Sequence, residues 1–290
     1  MINKMRLVFV TVTTLCLLPG LVFADGKFSL RLQGGRTYIS GGDVHHGTKA
    51  LFYPGPGEVL QVGEYRGVHW GYEFGGDIIF ELTPRLGIGV GVGYMLSSHT
   101  SEVESLDLES GADIVVRAEP KLSAVPIRLG LYLTVPISRK FNLYADAGAS
   151  YYFRARYSDE WGWGWLDYLG TQIGYIQVTT RAERKKVPLG FQGGIGFEYK
   201  LSHNLYLCLD ARGRYARFRG WKGSSVLESD YEMPFSEQGT LYYESVPMLT
   251  GSPRLLMVQS APPDGPDGEP RQAVIDFSGV SLQVGIRIRL

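Results

Sequence analysis

The chain has 290 residues, room for one large β domain or two ordinary ones, and its 29 basic and 29 acidic side chains cancel. A chain without net charge sets up no field that gathers nucleic acid or steers an acidic ligand, so no nucleic-acid partner is expected. A helical membrane protein needs apolar runs of about 20 residues, and none follows residue 24.

The first segment reads as a secretory leader. Lys4 and Arg6 supply its charge, Leu7 to Phe23 its apolar run, and Val22-Phe23-Ala24 the cleavage site, giving a signal peptide at 1–24 and one domain at 25–290. An uncleaved anchor fits less well, because Pro19-Gly20 breaks a short run. A lipid-modified Cys16 would need a small residue where Leu15 stands. Cleavage leaves 27 basic and 29 acidic residues, and Cys208 as the one remaining cysteine. An intramolecular disulfide is then impossible, and the thiol is read as buried or lumen-facing.

Beyond the leader, period two governs the sequence. Phe28, Leu30 and Leu32 alternate with Ser29, Arg31 and Gln33. Trp70, Tyr72, Phe74, Ile78 and Phe80 oppose Glu73, Asp77 and Glu81. Next, Leu86, Ile88, Val90, Val92 and Tyr94 alternate with Gly87, Gly89, Gly91 and Gly93. Such glycines would leave one face of a soluble sandwich unpacked, but they make room inside a narrow barrel for long side chains from other strands. The same grammar recurs at Ile127–Val135 around Arg128, at Phe141–Phe153 around Asp146 and Arg154, and at Leu189–Tyr199 around Glu198 and Lys200. It returns at Leu205–Gly213 around Asp210, Arg212 and Arg214, and at Val280–Leu290 around Arg287 and Arg289. Ile275 and Phe277 fall on the opposite parity from the apolar residues after Val280, read as a bulge near Gly279 or as emergence above the membrane.

Connections alternate in length. Thr83-Pro84-Arg85, Pro136 to Lys140 and Ser202-His203-Asn204 are short, whereas 41–67, 98–121, 157–185 and 221–273 are long. Short turns at one end and long loops at the other are the pattern of an outer-membrane barrel. A charge facing lipid at midplane costs about 2–4 kcal/mol, and the apolar faces carry essentially none. Backbone groups cannot stay unpaired in hydrocarbon, so the sheet must close. The expected fold is all-β: a closed antiparallel up-and-down transmembrane β-barrel of about eight strands, ten if loop hairpins join the wall, with short periplasmic turns and long extracellular loops.

Over most of its mature length the chain resembles the small outer-membrane β-barrels of the OmpA, OmpX and OmpW type. The likeness lies in this strand grammar, in Phe141-Asn-Leu-Tyr-Ala-Asp-Ala-Gly after a short turn, and in Gly285-Ile-Arg-Ile-Arg-Leu290 at the end. It implies a Gram-negative outer-membrane location and contact with outer-membrane lipid and lipopolysaccharide. It also implies recognition of the last strand, 280–290, by the barrel-insertion machinery. That family's last strand commonly ends in an aromatic, where this chain has Leu290.

No catalytic, cofactor or metal motif appears. His45 and His46 beside Asp43, with His69, His99 and His203, show no completed ligand spacing. A surface protease or lipid A-modifying barrel would need a nucleophile, a base and an orienting acid at one rim; His69, Ser97, His99, Arg156 and Asp159 lie there without a motif. The inward charges Arg31, Glu73, Asp77, Glu81, Arg128, Asp146, Arg154, Glu198, Lys200, Asp210, Arg212, Arg214, Arg287 and Arg289 have mixed sign and a narrow bore, and are expected to plug the lumen. Trp161, Trp163 and Trp165 make either a self-packed loop or a contact surface for an extracellular ligand. The run from Pro262 to Pro270 cannot build a core. The leading expectation is a non-enzymatic scaffold that displays loops. A small transport pore and a lipid-modifying enzyme are the alternatives.

Overall fold

Where apolar and polar residues alternate, both faces of an extended chain can be satisfied, and these segments are the strands of the structure. The computed structural model describes residues 27–52, 59–107, 113–166, 171–184, 188–231, 233–245, 254–263 and 271–290. The leader at 1–24 and the stretch 264–270 of the proline-rich run lie outside the described residues. In chain order the elements are β1 (Lys27–Gly42), helix α1 (Asp43–Ala50), β2 (Val59–Gly63), β3 (Trp70–Glu81), β4 (Leu86–Ser98), β5 (Ser101–Asp107), β6 (Asp113–Ala118), β7 (Lys121–Pro136) and β8 (Phe141–Leu166). They continue with β9 (Gln172–Arg184), β10 (Leu189–Lys200), β11 (Leu205–Tyr215), β12 (Arg217–Phe218), β13 (Trp221–Ser229), β14 (Phe235–Ser245), β15 (Arg254–Gln259) and β16 (Ile275–Arg289). Among the described residues no helix is long and apolar enough to cross a membrane.

Eight of these strands pair in a ring, all antiparallel: β1 with β3, then β4, β7, β8, β10, β11 and β16, which returns to β1. The ring order is the sequence order. Three tight turns join its strands at one end. Thr83 Oγ1 accepts from the Arg85 and Leu86 amides, and Ser138 Oγ from those of Lys140 and Phe141, so hydroxyls hold two of these turns.

At the other end the connections read as loops are in good part strand. β5, β6, the outer half of β8, β9, β13, β14 and β15 form a sheet that rises from the ring, with β2 on β5. Helix α1 packs against β15. The chain enters α1 through Gly41 and Gly42, whose φ of 77° and 63° lies in the left-handed region that only glycine takes without strain. These strands escaped the sequence reading because their burial does not alternate cleanly; β9, for example, carries three half-buried residues in a row, Tyr175 to Gln177.

The ring's outward face is apolar and bare: Val90, Leu129, Ile195 and Leu282 are each at least half exposed. A belt of that extent on a water-soluble monomer would aggregate. The inward face is polar. The glycines of β4 point inward, and a Cβ on Gly91 would collide with the Asp77 carboxylate, while one on Gly89 would press on Tyr132 at 2.6 Å.

Two register shifts lie at the upper edge of the apolar belt. Ala124 of β7 faces both Arg154 and Ala155 of β8, and Arg154 adopts φ 50°. Below this bulge even-numbered β8 residues such as Tyr144, Asp146 and Tyr152 are buried; above it the odd-numbered Ala155, Tyr157, Asp159 and Trp161 are. On β16, Phe277 and Ser278 face Ser40. There the parity does not change: Ile275 and Phe277 point inward like Ser281, and it is the interior that turns from charged to apolar.

Gly91→Val should lower stability by about 1–3 kcal/mol in urea unfolding of the detergent-folded protein, since the branched side chain displaces Asp77. Val90→Leu on the outward neighbour should stay within about 0.5 kcal/mol of wild type.

Candidate functional site

Inward parity brings polar side chains from seven of the eight ring strands into one narrow volume, and β4 makes room for them with its inward glycines. Near the turn end, Arg287 bridges Glu198 (2.7 Å) and Glu81 (2.9 Å) and donates through Nε to Ser29. Arg289 pairs with Glu81 at 3.2 Å. One level up, the Arg31 guanidinium lies 4.2 Å from the Tyr144 ring centroid and 3.9 Å from Glu198. Tyr144 in turn donates to Asp210 at 2.9 Å. Arg212 reaches Asp146 (3.4 Å), and Arg128 spans Asp77 (3.0 Å) and Glu73 (3.3 Å). At the top, Glu73 also meets Arg214 at 3.3 Å and accepts from Ser281 at 2.6 Å. Arg214 fills its remaining donors with Thr37, Ser281 and the Tyr38 and Phe277 carbonyls.

Six arginines thus meet six carboxylates (Glu73, Asp77, Glu81, Asp146, Glu198 and Asp210), and the cluster is neutral. Arginine suits it, because a planar fork of five donors can hold several carboxylates at once. Buried charge without a partner costs several kcal/mol, so neutrality is a condition of folding.

Above Arg214 the interior changes character. Ile39, Val68, Met95, Leu122, Tyr152, Phe218, Trp221, Leu241 and Phe277 pack into an apolar core across the ring mouth. A second core, with Leu51, Phe52, Val103, Val116, Trp161, Val178 and Leu255, lies farther from the ring. The two cores make a cap. Within it, buried Asp159 accepts from Tyr157 (3.0 Å) and from Thr48 of α1 (3.1 Å), tying the helix to the wall. Burial pushes the Asp159 carboxyl up to about 7 and the Tyr157 phenol well above its ordinary range.

One of the residues expected inside the ring lies elsewhere. Arg154 is exposed, with its guanidinium over the Phe153 ring, because the bulge turns it outward. Lys200 is half-buried at the turn end. The tryptophans do not form a single exposed face: Trp161 is buried in the second core, Trp163 packs half-buried against it, and Trp165 meets Tyr231 edge-on. After the bulge, odd numbers point inward, which is why Trp161 is covered. Cys208 is buried.

The rim residues are each engaged separately. Ser97 donates to the Val68 and Trp70 carbonyls, and His69 Nδ1 lies 3.0 Å from the Ile39 carbonyl. Arg156 pairs with Glu183. Among the described residues none of the five bonds another. The His45 ring lies tilted against that of His69, centroids 4.4 Å apart, and burial, with the two neighbouring imidazoles and Lys49, lowers its pKa. Among the described residues no group of three or more His, Cys, Asp or Glu is placed to hold a metal. Sequence reasoning gave no role to Gln33, Thr37, Tyr144 or Ser281, although their inward parity was the signal that placed them.

Glu73→Ala leaves Arg128 and Arg214 without their shared carboxylate and should cost about 3–5 kcal/mol in urea unfolding, against less than about 0.5 kcal/mol for exposed Lys140→Ala. Asp159 titrates higher in the fold than in the unfolded chain. Its contribution to stability is therefore complete below pH 4 and lost as pH rises toward 7. The cap should exchange its amide hydrogens faster at pH 8 than at pH 5 after correction for intrinsic rates, and Asp159→Asn should flatten that dependence.

Solved outer-membrane proteins align with this chain. A major outer membrane protein of Thermus thermophilus aligns over 92 % of this chain and 100 % of its own, at 16 % identity and TM-score 0.38. The outer membrane protease OmpT of Escherichia coli aligns over 94 % and 99 %, at 10 % identity and TM-score 0.40. The Yersinia pestis attachment protein Ail, solved with a heparin analogue, aligns over 92 % and 100 %, at 12 % and 0.32. No curated protein matches the sequence. The model of the outer membrane protein beta-barrel domain matches residues 14–231, about three quarters of the length. The chain belongs to this outer membrane β-barrel family and is a protein of the Gram-negative outer membrane.

Proposed function

We propose that the ring is an eight-stranded up-and-down barrel across the outer membrane, with its tight turns in the periplasm and its strand-built cap outside. In this reading it is a closed scaffold that carries a folded surface structure, rather than a conduit or an enzyme. One observation carries it: the neutral six-on-six charge cluster fills the bore, and an apolar core lies across the mouth above it. An ion crossing would have to break buried pairs and then enter a dry core. The last strand β16, whose residues 280–290 close the ring between β1 and β11, is the segment offered to the insertion machinery. Half-exposed Trp163 and Trp165 at the top of β8 leave the cap available to an extracellular ligand. A small pore is the alternative that the same bore admits. Buried Arg31 Nε, Asp77 Oδ2 and Asp210 Oδ1, which have no hydrogen-bond partner among the described residues, mark where it would hold water.

Purified protein in a planar bilayer should show no stable conductance steps. Reproducible single-channel steps would replace the scaffold by the pore. Lipid A from cells with and without the gene should give the same mass spectrum if no lipid A chemistry occurs.

A further inference from the structure

Five cations stand together on the outward face just above the apolar belt, on one side of the molecule only. The bulge that turns Arg154 outward also puts the even-numbered residues of upper β8 on the outside, so Arg156 follows it. Strand pairing sets Lys222 of β13 on Glu183 of β9, and Glu183 on Arg156. Two residues farther up, Lys121 of β7 pairs with Ser158, which pairs with Arg181 of β9. Lys121, Arg154, Arg156, Arg181 and Lys222 are all exposed, and Glu183, 3.6 Å from Arg156, is the one carboxylate within these two rows. With strands about 4.8 Å apart and rows about 7 Å apart, the cations cover a surface on the order of 15 by 10 Å. They begin directly above Phe153 and Tyr151, where the greasy face ends. Across the ring, the same level of β3 and β4 presents Trp70, Tyr72 and Tyr94, with Arg36 folded onto Tyr72.

Immediately above the basic rows the face changes again. Gly162 and Gly164 leave β8 without side chains, and the bare strip is the floor of a cleft of about 380 Å³. Arg117, paired across the strands with Glu102, flanks it on one side and Gln177 and Tyr175 on the other; Gln177 is held by Glu160 at 2.6 Å, and Glu119 completes the carboxylates of the lining. Amide, carboxylate, guanidinium and phenol around a flat floor can meet the hydroxyls of a sugar ring.

We infer that this face seats the headgroup of one phosphorylated glycolipid of the outer leaflet, its phosphates on the five cations and its outer sugars in the glycine-floored cleft. Cations at membrane-surface height attract anionic headgroups, and arginine forks fit phosphate oxygens in pairs. The two rows hold a net excess of four positive charges in a small area, which an anionic headgroup would balance. The inference rests on the proposed orientation, with the cap outside.

The test uses the full mature chain folded into nanodiscs of zwitterionic lipid and titrated with bisphosphorylated lipid A or with the same lipid stripped of its phosphates. Wild type should bind the first and bind the second far more weakly. Arg156→Gln/Arg181→Gln/Lys222→Gln should weaken binding of the phosphorylated lipid on the order of a hundredfold. Neutralising three exposed cations at the turn end (Arg85→Gln/Arg139→Gln/Lys140→Gln) should leave it unchanged. Equal affinity in wild type and the upper triple variant, or for the two lipids, would overturn the inference. If the triple variant does not fold, Lys222→Glu alone, an exposed change, should lose about tenfold and decides the matter. Orientation is read separately: Met233→Cys, on an exposed residue of the cap, should react with an impermeant maleimide on intact cells. Labelling without lipid A binding would sink the glycolipid seat and leave the proposed orientation standing; absence of labelling would sink the orientation itself.

Discussion

The arrangement depends on electroneutrality inside a closed wall. A strand that faces lipid on one side must send every polar side chain to the other, and in a ring of eight that other side is a single narrow volume. Charges placed there lose their water, so each must find its opposite within reach. Glu73 shows how tightly this is drawn: one carboxylate serves Arg128, Arg214 and Ser281, which come from β7, β11 and β16. Contacts of this kind fix the rotation and register of strands far apart in sequence. The glycines of β4 belong to the same bargain, since the space they vacate is what Asp77 and Tyr132 occupy.

A second tier answers a different solvent. Above the belt both sides of the sheet meet water, protein or sugar instead of lipid, and the interior can be apolar in the ordinary way. Met95, Leu122, Trp221 and Phe277 pack there as they would in a soluble protein. The polar contacts of this tier tie elements to one another: Asp159 to Thr48, and Asp43 at the start of α1 to Arg271 and the Val274 amide. The membrane tier is held by buried charge and the upper tier by buried hydrocarbon, stacked on shared strands.

The lower tier was legible because lipid enforces a strict period of two. Leu86 to Tyr94 cannot be read any other way, and the inward charges follow from the same parity. The upper tier was illegible for the converse reason. In β9 and β14 neither face is uniform, so the alternation that marks a strand is blurred, and long connections looked like loops. Arg154 was misplaced because Phe153-Arg154-Ala155 carries no glycine or proline to announce a bulge, and one extra residue inverts every later assignment on β8. The same shift places Trp161 in the core of the fold. Which carboxylate meets which arginine depends on strand stagger, which no local pattern encodes.

β8 runs unbroken for 26 residues from the turn end to the top of the cap, yet its two halves obey opposite numbering. The Arg154 bulge acts as a joint between two sequence grammars on a single rod. Changes above it alter the face shown to the surroundings without disturbing the lipid-facing residues below. Were the strand to pass that joint at its present length without the bulge, Trp161 would turn out and Glu160 in, exchanging the cap's core for its surface in a single event.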